Sequence, residues 1–530
     1  MSTQATAPAV NQPDLLLDGG ATGPTDLAPS AAQARKARAG MAMSLATFAM
    51  AAASAIQAVL FLSRFGTNTR TDGFFVAFAV YSTFGVFCQS MRLTSVPLLV
   101  EPGARLSGRE YAAALGFVAL PVLLFTIPLA SPLSQLIAPG LGAQGRGVTA
   151  AALPVLGCAM TLQLWAAGGA AMLAIRDRFT TIAGAYMSGA GAGLVTFLAL
   201  MDRAGVQTLG WSMLAMSVVT SAWMLLGVRR SGGLGVQQRT LALRTIAGDA
   251  ALVLGRTAIY LAFNMLFVCT LAFASHSAAG GTTVLSYAYL FASYLVAGTG
   301  MALGQSSIPD MTREVRARRL TVVAEAVPRG FRYAMLIVAP ALAGLIVAGA
   351  PLIHVLFPAS LTSSGAHTLR TFAALLVAWT VAALLVNFLL PALFAIGRTR
   401  LLNALVLPLI VLHLAATAIG SVLFGVDGAV GAFFFAPACL GVVLLIAGAG
   451  PASASVARQL TSDGARFLLL AAVAFGAGWA LGTAAPAGLA QAATATAVGC
   501  VLYAAGLGLF ARRQLQVVFG AVTTRPAAAA

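Results

Sequence analysis

The sequence predicts an all-α polytopic membrane protein of about 14 transmembrane helices, built as two pseudo-symmetric six-helix bundles plus two C-terminal helices. Three observations carry that prediction. Charged residues are 8% of the 530 and hydrophobic ones 59%, with a mean hydropathy of +0.91, a composition foreign to soluble domains. Apolar runs of the roughly 20 residues that a helix needs to cross about 30 Å of hydrocarbon fill residues 41–512. The arginines between these runs fall almost wholly in alternate connections. Run length favours helices over a barrel, whose strands show weak alternation over about 10 residues.

Residues 1–40, rich in Ala, Gly, Pro, Ser and Asp, read as a disordered cytoplasmic tail without the n-region and h-region of a cleaved signal peptide. The first span, 41–63, carries Ser54 and Gln57. The second, 74–99, sets Ser82, Gly85, Gln89 and Arg92 on one face by three- and four-residue steps. Spans 111–136, 149–174, 180–201 and 211–228 complete an N-terminal bundle over 41–230, with Pro121 read as a kink. In the seventh span, 250–274, Arg256, Tyr260 and Asn264 recur every four residues; the eighth, 283–308, offers Ser286, Tyr289 and Ser293. The connection from Asp310 to Arg332 mixes Arg with Leu, Val and Ala, as an amphipathic helix on the membrane surface or a charged linker would. Spans 333–356, 371–396, 401–424 and 428–448 fill a C-terminal bundle over 231–450, with kinks at Pro340, Pro391 and Pro408. Spans 467–486 and 488–511 make the additional pair within 451–512, and 513–530 is a second cytoplasmic tail.

The halves echo each other. The second span ends Ser95-Val96-Pro97-Leu98-Leu99 and the eighth Ser307-Ile308-Pro309-Asp310-Met311. The fourth joins the fifth through Ala174-Ile175-Arg176-Asp177-Arg178, the tenth the eleventh through Ala395-Ile396-Gly397-Arg398-Thr399-Arg400. Pro97 and Pro309 are 212 residues apart, Ala174 and Ala395 221. Two matches six spans apart predict parallel halves about an axis along the membrane normal.

A net charge of +17 would suit nucleic acid, but its distribution does not. With a cytoplasmic N-terminus, 24 of the 31 Lys and Arg lie in cytoplasmic segments and five, Arg64, Arg70, Arg146, Arg203 and Arg370, lie opposite. That is the positive-inside rule. It predicts a multi-pass protein of the bacterial cytoplasmic membrane, both termini cytoplasmic, with no nucleic-acid partner. The five cysteines form no CxxC or Cys/His cluster, so neither disulfides nor a metal site is expected. No connection can hold a soluble catalytic domain, GxxxxGK[ST] is absent, and no constellation suits hydrolysis or group transfer. The chain reads as a non-enzyme without cofactors.

A charge at mid-bilayer costs at least about 2.5–3.5 kcal/mol, so each marks a candidate site. Only Arg92 and Arg256 lie inside spans. They head a set of substrate-binding candidates with Gln57, Gln89, Tyr260, Asn264, Ser286 and Tyr289. Two readings stand: both arginines snorkel to the headgroups, or they face a cationic, hydroxyl-rich chamber where guanidinium grips an anionic head group bidentately. No carboxylate lies deep in a span, which speaks against a proton-coupled pump. His354 and His413 have no carboxylate in their own helices and read as packed.

The run Arg64-Phe65-Gly66, then Thr71-Asp72-Gly73-Phe74-Phe75-Val76-Ala77-Phe78, with Val96-Pro97 and Glu101 beyond, resembles the first loop and second helix of the MurJ (MviN) lipid II flippase family. Tyr287-Ala288, Gly298, Ala302-Leu303-Gly304 and Pro309 are similar to that family in the eighth span, as are Arg178-Phe179 and Leu390-Pro391, Phe394 and Arg398-Thr399-Arg400 elsewhere. The resemblance implies a transporter of the multidrug/oligosaccharidyl-lipid/polysaccharide (MOP) superfamily that flips a polyprenyl-diphosphate-linked saccharide, lipid II or a related cell-envelope precursor, by alternating access. It implies a cavity lined by spans 1, 2, 7 and 8, a lipid-tail groove at spans 13 and 14, and membrane lipids and cell-envelope glycosyltransferases as further partners. The family's loop aspartate is kept as Asp72, which joins the candidate site residues. Its span-1 arginines fall on Ala51 and Gln57, its span-2 arginine on Gly85 and its span-8 Asp-Arg pair on Tyr289-Leu290, which predicts a divergent paralogue, its cargo not necessarily lipid II, in which Arg92 and Arg256 would have to grip the diphosphate instead. The alternatives are a drug or metabolite antiporter of the same superfamily and a non-transporting scaffold for cell-envelope synthesis.

Overall fold

Without water to bond its backbone, a lipid-embedded segment must satisfy every N–H and C=O internally, and the regular elements of the computed structural model are helical. The structure describes residues 46, 49–50, 52–100, 106–176, 178–232, 242–301, 322–356, 363–485 and 489–510. Both expected tails lie outside the described residues. The first half of the chain forms α1 (Ala52–Phe65), α2 (Thr69–Val100), α3 (Gly108–Thr126), α4 (Ala130–Ile137), α5 (Ala143–Ala174), α6 (Phe179–Leu200) and α7 (Thr208–Arg230). The second forms α8 (Leu243–Ala274), α9 (Gly281–Val296), α10 (Val322–Leu356), α11 (Ser363–Ala395), α12 (Thr399–Ala404), α13 (Val406–Ala432), α14 (Phe435–Ala449), α15 (Ser453–Gly482) and α16 (Leu489–Phe510).

Eleven described stretches are long and apolar enough to cross a membrane. One of them, Phe435–Gly482, is α14 and α15 joined at Gly450, whose φ is 53°. With α1 in the first position and α9, prolonged by a π turn over Ala297–Met301, in the eighth, the described helices follow the order of the fourteen expected spans. The expected third span is two helices: α3 stops at Thr126, and Pro128, which has no N–H to donate, stands in the turn before α4. The break expected between 424 and 428 falls at Gly425, where φ is 64°. Glycine alone adopts such a conformation freely.

The connection over 310–332, expected as a surface helix or a charged linker, is described only from residue 322. Residues 322–332 are about three turns of α10, which starts eleven residues before the expected 333; α15 likewise starts at Ser453, ahead of 467. The two extensions satisfy each other. Val323, Val327 and Phe331 recur every four residues and are buried, Phe331 lies over Gly464, and the Arg332 guanidinium pairs with Asp463. Charges that would otherwise end two helices bridge them instead.

α2 packs along α5, and α7 along α5 and α6; α11 packs on α9, α10 and α14, and α10 on α15 and α16. Between the halves, α2 lies against α8 and α9, and α3 against α8. Close approach depends on absent side chains: a Cβ on Gly73 would lie 2.2 Å from the Gly145 carbonyl oxygen. Lipid supplies little hydrophobic drive between helices, so such small-residue contacts do much of the packing. The seam of α2 with α8 and α9 is where most of the site candidates fall.

Candidate functional site

α2 begins on a side-chain cap. Asn68 Oδ1 accepts hydrogen bonds from the Arg70 and Thr71 N–H groups at 2.9 and 3.2 Å, satisfying donors that a helix start leaves orphaned. From the turn fixed in this way Asp72, 1% exposed, reaches the start of α9. That helix has no side-chain cap of its own, and its N-cap residue, Gly280, sits at φ 91°. Asp72 supplies the cap from 208 residues away. Its Oδ2 accepts from the Gly280 N–H at 2.6 Å, and its Oδ1 accepts from the Thr283 N–H and the Thr283 hydroxyl, both at 2.7 Å. Orphan donors and the helix dipole both favour an anion there. Close by, the Gly140 N–H donates to Ser275 Oγ at 2.9 Å, and a Cβ on Gly280 would lie 2.9 Å from Thr67 Cβ. These contacts join the two halves on the arginine-poor face.

Further along the seam, the Thr83 hydroxyl donates to the Asn264 backbone carbonyl at 3.2 Å, and the Tyr287 hydroxyl donates to the Ala58 carbonyl at 3.0 Å. Gln57 is buried on α1. The Asn264 side-chain amide donates to the Tyr260 carbonyl and the Ser286 hydroxyl to the Thr282 carbonyl, each at 2.8 Å, within their own helices. Two tyrosines depart from the expected chamber wall. The Tyr260 ring stacks on Phe394 of α11 with centroids 5.8 Å apart. Tyr289 lies in an aromatic cluster, 3.5 Å from Phe267, 5.0 Å from Trp379 and 5.9 Å from Phe433. A flat ring gains more from such apolar contacts than from facing water. Arg256 is half-buried on α8, eighteen residues from the Ala274 end, about 27 Å along the axis. The side chains of Gln89 and Arg92 lie outside the described residues. So does that of His354, whereas His413 packs α13 on α8, its Nε2 3.1 Å from Thr270 Oγ1 and its ring edge-on to Phe433.

Asp72 is legible in the sequence and its partners are not. Gly280-Gly281-Thr282-Thr283 opens a helix without a local acidic cap, and that lack is the one available signal. Among the described residues no group of three or more His, Cys, Asp or Glu could hold a metal ion. The arrangement offers a seam with charge-assisted bonds at its arginine-poor end and a half-buried arginine, Arg256, farther along α8.

No protein-family model matches the chain, and no curated protein matches it. Solved structures do. A lipid II flippase MurJ in an inward closed conformation aligns with a TM-score of 0.67 over 89% of this chain and 99% of its own, at 14% identity. An inward-facing multidrug-resistance MATE-family transporter of the MOP superfamily gives 0.57 over 77% of this chain and 95% of its own, at 15% identity. An outward-facing structure of such a transporter gives 0.53 over 80% and 96%, also at 15%. At these identities the likeness is one of fold: the chain is an all-helical, multi-pass membrane protein with the fold of MOP-superfamily transporters, and the structures it resembles are of transporters and a flippase rather than enzymes.

Proposed function

We propose that the chain is a flippase for a polyprenyl-diphosphate-linked saccharide, lipid II or a related cell-envelope precursor, working by alternating access in the cytoplasmic membrane. The observation that carries this reading is the Asp72 cap on α9, which ties the two halves together on the arginine-poor face, in a fold that aligns with nearly the whole length of a flippase. By the positive-inside rule the tied face is the outer one. The gap between a half over 41–230 and a half over 231–450 then opens to the cytoplasm. Arg256, with Arg92 from the facing helix, grips the diphosphate while the polyprenyl tail stays in lipid. Moving a two-state equilibrium from 1:99 to 99:1 takes roughly 5.5 kcal/mol of differential binding. Two charge-assisted guanidinium contacts at about 1.5–3 kcal/mol each supply that order of energy. Cargo binding would then offset the loss of the Asp72 bonds, and the outer face opens.

The test is a leaflet-accessibility assay in reconstituted vesicles carrying fluorescent polyprenyl-diphosphate saccharides. Protein-dependent translocation is expected, abolished by Arg92→Ala and by Arg256→Ala while both variants still insert. Full activity in the double variant refutes the proposed grip. The MATE-family alignments favour a second reading, a drug or metabolite antiporter. Ion-gradient-driven efflux of a cationic dye from the same vesicles, without saccharide translocation, would replace the first reading by the second.

A further inference from the structure

Where α5, α6 and α7 end on the arginine-rich face they enclose a groove of about 680 Å³. It shares no residue with the seam of α2, α8 and α9. Arg178, at the start of α6, and Arg230, at the end of α7, line it with the hydroxyl-bearing Thr180, Thr181 and Ser231 and the indole of Trp223. Arg64 and Arg332 are paired with Asp202 and Asp463, but neither Arg178 nor Arg230 has a carboxylate partner among the described residues. Asp177 lies outside the described residues. Arg176, beside the groove, donates to the Gly232 carbonyl at 2.8 Å and braces the chain leaving α7.

The groove is graded in depth. Leu226 and Trp223 stand four and seven residues before Arg230 on α7, about 6 and 10 Å deeper into the membrane. Trp223 is 45% exposed. Its ring lies 3.6 Å from where a Cβ on Gly184 would be, so the indole rests on α6 with much of its surface free. Cations and hydroxyls at the rim, an indole below them and leucine beside it match the vertical order of a phosphoglyceride: phosphate, glycerol, acyl chain.

We propose that this groove binds an anionic glycerophospholipid of the arginine-rich leaflet, its phosphodiester between Arg178 and Arg230 and its first acyl carbons beside Trp223 and Leu226. A zwitterionic lipid would bring an ammonium group towards two guanidinium groups that have no carboxylate partner among the described residues. A free phosphate would leave the apolar wall without a partner. The bound lipid ties α6 to α7 at this end, as the bond from the Ser212 hydroxyl to the Gly193 carbonyl (2.9 Å) does nearer the other end.

The experiment titrates the purified full chain, in mild detergent, with short-chain phosphatidylglycerol, short-chain phosphatidylcholine or inorganic phosphate, reading adducts by native mass spectrometry and the melting temperature. Phosphatidylglycerol is expected to bind at least tenfold tighter than phosphatidylcholine and to raise the melting temperature. Arg178→Gln with Arg230→Gln weakens phosphatidylglycerol roughly 30-fold, whereas lysine at both positions retains most of the affinity. Arg398→Gln, an exposed arginine of the other half, changes nothing. Equal binding of the two lipids by the wild type overturns the proposal, as does undiminished phosphatidylglycerol binding by a folded double-glutamine variant. A shift with inorganic phosphate equal to that with phosphatidylglycerol overturns the lipid assignment. The wild-type comparisons need no variant, so a misfolded double variant does not shelter the proposal.

Discussion

Replacing Asp72 with asparagine tests the proposed outer seal with almost no change of volume. Three donors converge on the carboxylate: the Gly280 N–H, the Thr283 N–H and the Thr283 hydroxyl. Asparagine keeps one oxygen and turns an NH₂ group towards at least one of these donors, so a bond is lost and two donors face each other. A charge-assisted hydrogen bond contributes about 1.5–3 kcal/mol, and the field of a helix N-terminus adds about 0.3–1 kcal/mol for an anion. The substitution should therefore weaken the seal by about 2–3 kcal/mol, a 30- to 150-fold shift in equilibrium. Because the bonds run between the halves, the loss falls on the sealed conformation rather than on the folding of either half. Spin labels at Arg70 and Ala278, both exposed near the seal, read this shift in a cysteine-free background reconstituted in nanodiscs. The wild type should give one short distance, and Asp72→Asn a second, longer population of comparable size. Thr283→Val removes one bond of the three and should give a smaller shift. Unchanged distance distributions in both Asp72→Asn and Asp72→Ala would refute the reasoning.

Asp463 is 4% exposed while the Arg332 side chain that pairs with it is 32% exposed, so Arg332→Ala strands a buried carboxylate. It should destabilise by about 2–4 kcal/mol in a detergent melt, with Arg332→Met plus Asp463→Leu returning close to wild type. Tyr289 should tolerate phenylalanine in the translocation assay, whereas Tyr289→Ala should lower stability by about 3–5 kcal/mol by opening the cluster of Phe267, Trp379 and Phe433; a phenylalanine variant that folds but does not transport would put the hydroxyl on cargo after all.

The crossings are legible in the sequence because hydrocarbon tolerates almost nothing but apolar helix, and the break at Gly425 is legible between two apolar runs, whereas the turn at Pro128 is hidden inside a single run over 111–136. Helix ends are less so. Arg332 and Asp463 each look like the boundary of a span until they are seen to neutralise each other across α10 and α15. A hydrophobic-run argument treats charges one helix at a time, so it cannot anticipate a pair 131 residues apart. The same limit explains the tyrosines. Periodicity places Arg256, Tyr260 and Asn264 on one stripe of α8, but it does not say which neighbour that stripe meets. Phe394, met by Tyr260, and Trp379 and Phe433, met by Tyr289, all come from elements far along the chain. Asp72 stands out through its motif, but its role follows only from Gly280 and Thr283.

A seal and a grip place different demands on a sequence. The first-turn donors of α9 exist whatever the cargo, and a buried helix start without an anion leaves them unsatisfied at about 1–3 kcal/mol each. On the proposed cycle, an acidic residue opposite Gly280 serves the change of conformation itself. Cations along the cavity are needed only if the cargo is anionic, and their number and depth set how tightly it is held. This chain has Asp72 at the seal and no arginine at Ala51, Gln57, Gly85 or Leu290. The proposed flippase thus keeps the part that decides when the cavity opens while altering the part that decides what enters. On that division, loss of Asp72 should impair movement of every cargo by a similar factor, because the defect lies in the populations of the two conformations, whereas Arg92 and Arg256 should matter in proportion to the charge on the cargo's head group.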